Sequence, residues 1–104
     1  MANTFKRKVL ANIDTTLATV YTVPASTTTV VIGCTLSNIT SASITADVQL
    51  ATSGDDVYIV KDIPIPSGSS VEVMSGNKVV METTDILKVL GSATNSVDVT
   101  LSIM

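Results

Sequence analysis

Two prolines at alternate positions, Pro64 and Pro66, set the strictest limit on how this chain can fold. Each ring fixes φ and turns the residue before it away from the helical region, so Ile63-Pro64-Ile65-Pro66 must be extended. Neither proline can donate to a sheet ladder. The segment therefore belongs at a sheet edge or a crossover, not in the middle of a sheet. Val57–Val60 reads as a strand entering this corner and Val71–Met74 as a strand leaving it, with Ser67-Gly68-Ser69-Ser70 as the turn.

The rest of the chain fits the same pattern. Ile44, Ala46, Val48 and Leu50 alternate with Thr45, Asp47 and Gln49, which predicts a strand with one buried and one wet face. Val97, Val99, Leu101 and Ile103 alternate with Asp98, Thr100 and Ser102 in a closing strand. Thr27–Ile39 is the longest strand candidate, with Val30, Ile32, Cys34 and Leu36 expected on one face and Gly33 marking either a bulge or the close approach of another backbone. Thr15–Val23, which stops at Pro24, and the short runs Val79–Glu82 and Ile86–Leu90 complete the set. Turns are expected at Pro24–Ser26, Thr40–Ser43, Ala51–Asp56, Ser75–Lys78, Thr83–Asp85 and Gly91–Asn95. The apolar residues are mainly Val, Ile, Leu and Ala, beside abundant Thr and Ser, and this is the composition of pleated sheet. The expectation is an all-β chain: a single-domain antiparallel β-sandwich, jelly-roll-like or Greek-key, of about eight or nine short strands over residues 1–104. Periodicity does not settle Asn3–Ile13, and residues 1–13 are read as an N-terminal arm leading into the first strand.

Charge divides the chain unevenly. Lys6, Arg7 and Lys8 are three of the six cations, and all nine acids lie beyond them. A basic arm on an acidic body argues against a nucleic-acid partner, which needs a basic face. No run is long enough to span a bilayer and the first residues lack a secretory apolar core, so neither a membrane nor secretion is expected. Only 14% of the chain is charged, so many solvent-facing strand positions are Thr or Ser. Charge is depleted where proteins make contacts, which points to a surface covered by copies of the chain or by a larger assembly.

Catalytic chemistry finds little support. The chain has no His, the commonest general base and metal ligand. Cys34, the sole cysteine, lies in the apolar run Val30–Cys34 and reads as a small buried hydrophobe. The carboxylates fall in turns and at outward strand positions and read as solvated charges. Asp55-Asp56 lacks the spacing of a calcium loop. Asn38-Ile-Thr40 matches a glycosylation sequon, a chance match in a chain without a secretory signal. The expectation is a protein without enzymatic activity, metal or cofactor.

Several stretches, in order, resemble a known family. They are Thr4-Phe5-Lys6-Arg7 leading to Ile13, Thr19-Val-Tyr-Thr-Val-Pro-Ala-Ser26, Val31-Ile-Gly33, Ile44-Thr-Ala-Asp-Val48, the run Val57–Ser70 around the prolines, and Ser96-Val-Asp-Val99. Together they resemble the small virion structural proteins of tailed bacteriophages, frequent among marine and cyanobacterial phages. The chain departs from the family pattern at Thr84-Asp85, where relatives often have Gly-Asp, and at the Ser-rich turn Ser67–Ser70, where relatives are often Gly-rich. The resemblance implies a virion protein assembled in the host bacterial cytoplasm. Its role would be capsid decoration or cement, its partners the major capsid protein or other virion proteins, and its state a homo-oligomer, with a trimer favoured. A tail, neck or baseplate component is the alternative, and a receptor- or carbohydrate-binding module, poor in aromatics, is a further one. The assembly contacts expected on this reading are Phe5, Lys6, Arg7 and Lys8 of the arm and Ile63, Pro64, Ile65 and Pro66 of the proline corner.

Overall fold

A computed structural model describes residues 5–74 and 78–104. Every regular element among them is a strand: β1 (Lys6–Ile13), β2 (Ala18–Thr22), β3 (Thr29–Asn38), β4 (Ile44–Ala51), β5 (Asp56–Ile65), β6 (Ser70–Glu72), β7 (Val79–Met81), β8 (Ile86–Gly91) and β9 (Val97–Ile103). They form two antiparallel sheets. One has the order β1-β9-β3-β6, with β7 also on β3, and the other the order β2-β8-β4-β5. Strands β7 and β6 lie along the same side of β3, opposite Thr29–Val31 and Thr35–Ser37 respectively. Taken as one interrupted strand, they make the pairing rule simple. First pairs with last, second with next to last, and so on to β4 with β5. A long hairpin folded over on itself in this way is a jelly roll.

The inner faces of the two sheets share one core. Val31, Cys34, Leu36, Val97, Val99, Leu101 and Ile103 come from the first sheet, and Ile44, Ala46, Val48, Ile65, Leu87 and Val89 from the second. Burying each such side chain contributes about 1.5–3 kcal/mol, and this drives the sheets together. Asn38 ties them with polar bonds. Its Nδ2 donates to Ile65 O (2.9 Å) and Ala42 O (2.8 Å), while its Oδ1 accepts from the N–H and hydroxyl of Thr40 (2.8 Å each). The sequon asparagine is thus buried with both amide hydrogens in use.

Four expectations need correction. First, the stretch read as an arm is, from Lys6 to Ile13, an edge strand paired with β9; Met1–Thr4 lie outside the described residues. Second, the proline corner is no break. β5 runs through it to Ile65, and Pro64 pairs opposite Thr45. β5 is the edge of its sheet, so the missing N–H groups cost no ladder bond. The turn comes after it, where Ser69 N–H donates to Pro66 O (3.1 Å) and Gly68 supplies φ of 69°. Third, in the first half of β3 the buried face carries Thr29 and Val31, not Val30 and Ile32. Of the two roles open to Gly33 the bulge is the one found, with Val31 opposite Ile103 and Gly33 opposite Ser102. Ile32 is the extra residue, and it shifts the phase so that Cys34 and Leu36 point inward. Fourth, the outer face of β4 is not wet at Asp47 and Gln49, which are 3% and 8% exposed. β4 is flanked by β5 and β8, and these neighbours cover it. The turn expected at Ser75–Lys78 lies, apart from Lys78, outside the described residues.

Candidate interaction surface

The carboxylates show how the sandwich is finished, and most are not the solvated charges expected. Five of them accept backbone N–H groups that the sheet ladders leave over. Asp98 Oδ1 accepts the Asn12 N–H (2.9 Å) at the β1 bulge. Asp47 Oδ1 accepts the Asp62 N–H (2.7 Å), where Asp47 faces the two residues Lys61 and Asp62. Glu72 Oε2 accepts the N–H groups of Cys34 (2.8 Å) and Met74 (3.1 Å), beside the β3 bulge. Asp85 Oδ2 accepts the Glu82 N–H (2.9 Å) and Asp14 Oδ1 the Asn95 N–H (2.8 Å) at two turns. Four of these sites contain a residue with positive φ: Asn12 (55°), Asp62 (52°), Thr84 (68°) and Asn95 (49°). Irregular backbone frees a donor, and an ionised acceptor nearby offsets the loss.

Asp47 also holds Lys61, whose Nζ is 3.2 Å from Oδ2 and 3.6 Å from Asp62 Oδ1. The hydrogen bond to Asp47 raises the Lys61 pKa. The ammonium stands 5.3 Å from the centre of the Tyr58 ring. Cys34 is fully buried, and burial, with the Glu72 charge adding to it, pushes its thiol up to about 12. A thiol so placed is a packing group, not a nucleophile. The open depression of about 400 Å³ lined by Thr52, Ser53, Glu82, Thr83 and Asp85 is polar. Part of that polarity is already used: Asp85 holds its own turn, and the Thr83 hydroxyl accepts the Thr27 N–H (3.0 Å). No group of three or more Cys, Asp or Glu side chains among the described residues could hold a metal ion.

What remains accessible is the sandwich edges. Partners directly opposite in an antiparallel pair share a face. Lys6 and Lys8 lie opposite Ile103 and Leu101, so they lean toward the inner side of the sandwich, where Lys8 Nζ comes 5.8 Å from the Tyr21 ring centre. Inward-leaning charges of this kind guard an open edge. Arg7 and Val9, opposite Ser102 and Thr100, face outward. Phe5 and Val9 are 69% and 61% exposed. Inward from them the outer face continues through the small polar side chains of Thr100, Thr35 and Ser102, and carries Glu72 opposite Thr35 and Asp98 opposite Ser37.

The eight expected contact residues fall into two separate places. Phe5, Lys6, Arg7 and Lys8 are exposed at the β1 edge of the first sheet. Ile63–Pro66 lie at the β5 edge of the second, at the far end of that sheet from β2, over which β1 packs. Pro64 and Pro66 are exposed and Ile63 is half-buried. Ile65 is wholly buried, since its side chain shares the inner face with Ile44, and it is removed from the contact set. The reading missed Val9, Val57 and Tyr58, exposed apolar side chains on the same two edges. Val57 and Tyr58 lie in the same strand as Pro64, which the proline marks as an edge, and that was the available signal.

No protein-family model matches the chain, and no curated protein matches it.

Proposed function

We propose that the chain is a structural component of a tailed-bacteriophage particle, and within it a decoration or cement protein that reinforces the head shell by contacts alone. The observation that carries this reading is the outer face of the first sheet. Exposed Phe5 and Val9 border a field of small Ser and Thr side chains, and the two acids on that face, Glu72 and Asp98, are taken up by backbone N–H groups of the sandwich itself. The ordered sequence resemblance supports the same role. The fold by itself does not, because jelly rolls serve many functions. A carbohydrate-binding role is less well supported, since the three aromatic residues do not form a platform. Phe5 is exposed just before β1, Tyr21 lies near Lys8, and Tyr58 is on β5.

Rebinding tests the proposal. Heads from phage lacking the gene are mixed with purified protein and sedimented. The account expects saturable binding to the heads, and release of DNA at a higher temperature once the protein is bound. Heads that neither bind the protein nor gain heat resistance would overturn it.

A further inference from the structure

The two edges differ in charge as well as place. The β1 edge carries Lys6 and Arg7, for which the structure gives no acidic partner among the described residues, beside exposed Phe5 and Val9. At the start of the β5 edge stand Asp55 and Asp56, beside Val57 and Tyr58, which are 49% and 45% exposed. These acids differ from the five that accept backbone N–H groups, because no hydrogen bond or ion pair engages their carboxylates among the described residues. Four of the six large apolar side chains exposed among the described residues sit on these two edges.

We infer that copies of this chain associate head to tail, the basic β1 edge of one against the acidic β5 edge of the next. Charge complementarity between two apolar strips selects the partner, and the partner is a second copy. The contact joins two different surfaces of the same molecule, so it is heterologous and closes into a ring or extends along a lattice. That geometry suits a protein repeated over a shell, and the inference rests on that reading of its role. The bulges at Ile59 and at Lys61–Asp62 confine regular main-chain pairing to the start of β5. A contact of this extent is small and therefore weak in isolation, and it gains strength where a shell holds the copies side by side.

The test is sedimentation equilibrium over a wide concentration range, on the full chain and two variants. One variant carries Lys6→Glu and Arg7→Glu, the other Asp55→Lys and Asp56→Lys. All four positions are exposed, and matching thermal unfolding curves would show that both variants fold. The full chain should associate at low salt. Its association constant should fall by about tenfold or more at about 1 M salt, where the Debye length is about 3 Å. Each variant alone should stay monomeric, and their equimolar mixture should associate again. A full chain that stays monomeric throughout, or variants whose mixture does not associate, would overturn the inference. Neither result would touch rebinding to heads, so the two proposals fail separately.

Discussion

At the scale of single residues, the sandwich carries two identifiable tensions. Thr84 has φ of 68° at the third position of the Glu82–Asp85 turn, where Asp85 N–H donates to Glu82 O (3.0 Å). A β-branched residue there is strained by about 1–2 kcal/mol. Glycine relieves that strain and returns about half of it as chain entropy. Thr84→Gly should therefore stabilise the fold by about 0.5–1 kcal/mol, seen as a thermal midpoint higher by a few degrees. An unchanged or lower midpoint would contradict the strain. Cys34 gives a pH dependence. Its folded pKa lies near 12 against an ordinary value of 9.0. Below the ordinary value the thiol is neutral in both states and its contribution is fully present. As pH rises from about 9 toward 12, only the unfolded chain ionises, and that contribution is lost. Denaturant unfolding of the full chain and of Cys34→Ala at several alkaline pH values checks this. The variant starts less stable, by about 1–2 kcal/mol for the missing sulfur, and loses less with rising pH.

At the scale of elements, the strands were legible and their irregularities mostly were not. Ile44–Leu50 and Val97–Ile103 could be read directly because a period of two puts one side of each strand in the core. The prolines put β5 at an edge for a reason intrinsic to their chemistry. Gly33 marked the β3 bulge, but the count did not carry the phase shift that Ile32 introduces. Bulges in β1 and β5 have no local signature, because acids distant in sequence hold them. Asn12 depends on Asp98, and Asp62 on Asp47. An acid at an outward strand position reads as a solvated charge until its strand neighbour is known. The candidate surface was legible to the same extent. The basic run at Lys6–Lys8 was visible, whereas its pairing with β9 was a matter of topology. Asp47→Ala tests the capping account. It leaves the Asp62 N–H without its buried acceptor, at a cost of about 1–3 kcal/mol in unfolding free energy, and hydrogen exchange should quicken around Lys61–Asp62 first. Exchange that quickens evenly through the sandwich would place the loss elsewhere.

At the scale of the whole molecule, the jelly roll has four edges, at β1 and at β6 with β7 in one sheet and at β2 and β5 in the other, and two outer faces. The β1 edge is guarded by inward-leaning Lys6 and Lys8, and the β5 edge by prolines and bulges. Such guards suppress indiscriminate strand pairing and leave side chains to choose the partner. A unit with guarded edges and an outer face of mainly small polar side chains suits a repeated structural part. The central claim is that this part belongs to a phage head. Quantitative mass spectrometry of purified particles tests it most directly, by counting this chain against the major capsid protein. The account predicts many copies in a simple ratio to the shell subunit. A handful of copies, as for a neck or tail component, would contradict the decoration role, and absence from the particle would contradict the structural role altogether.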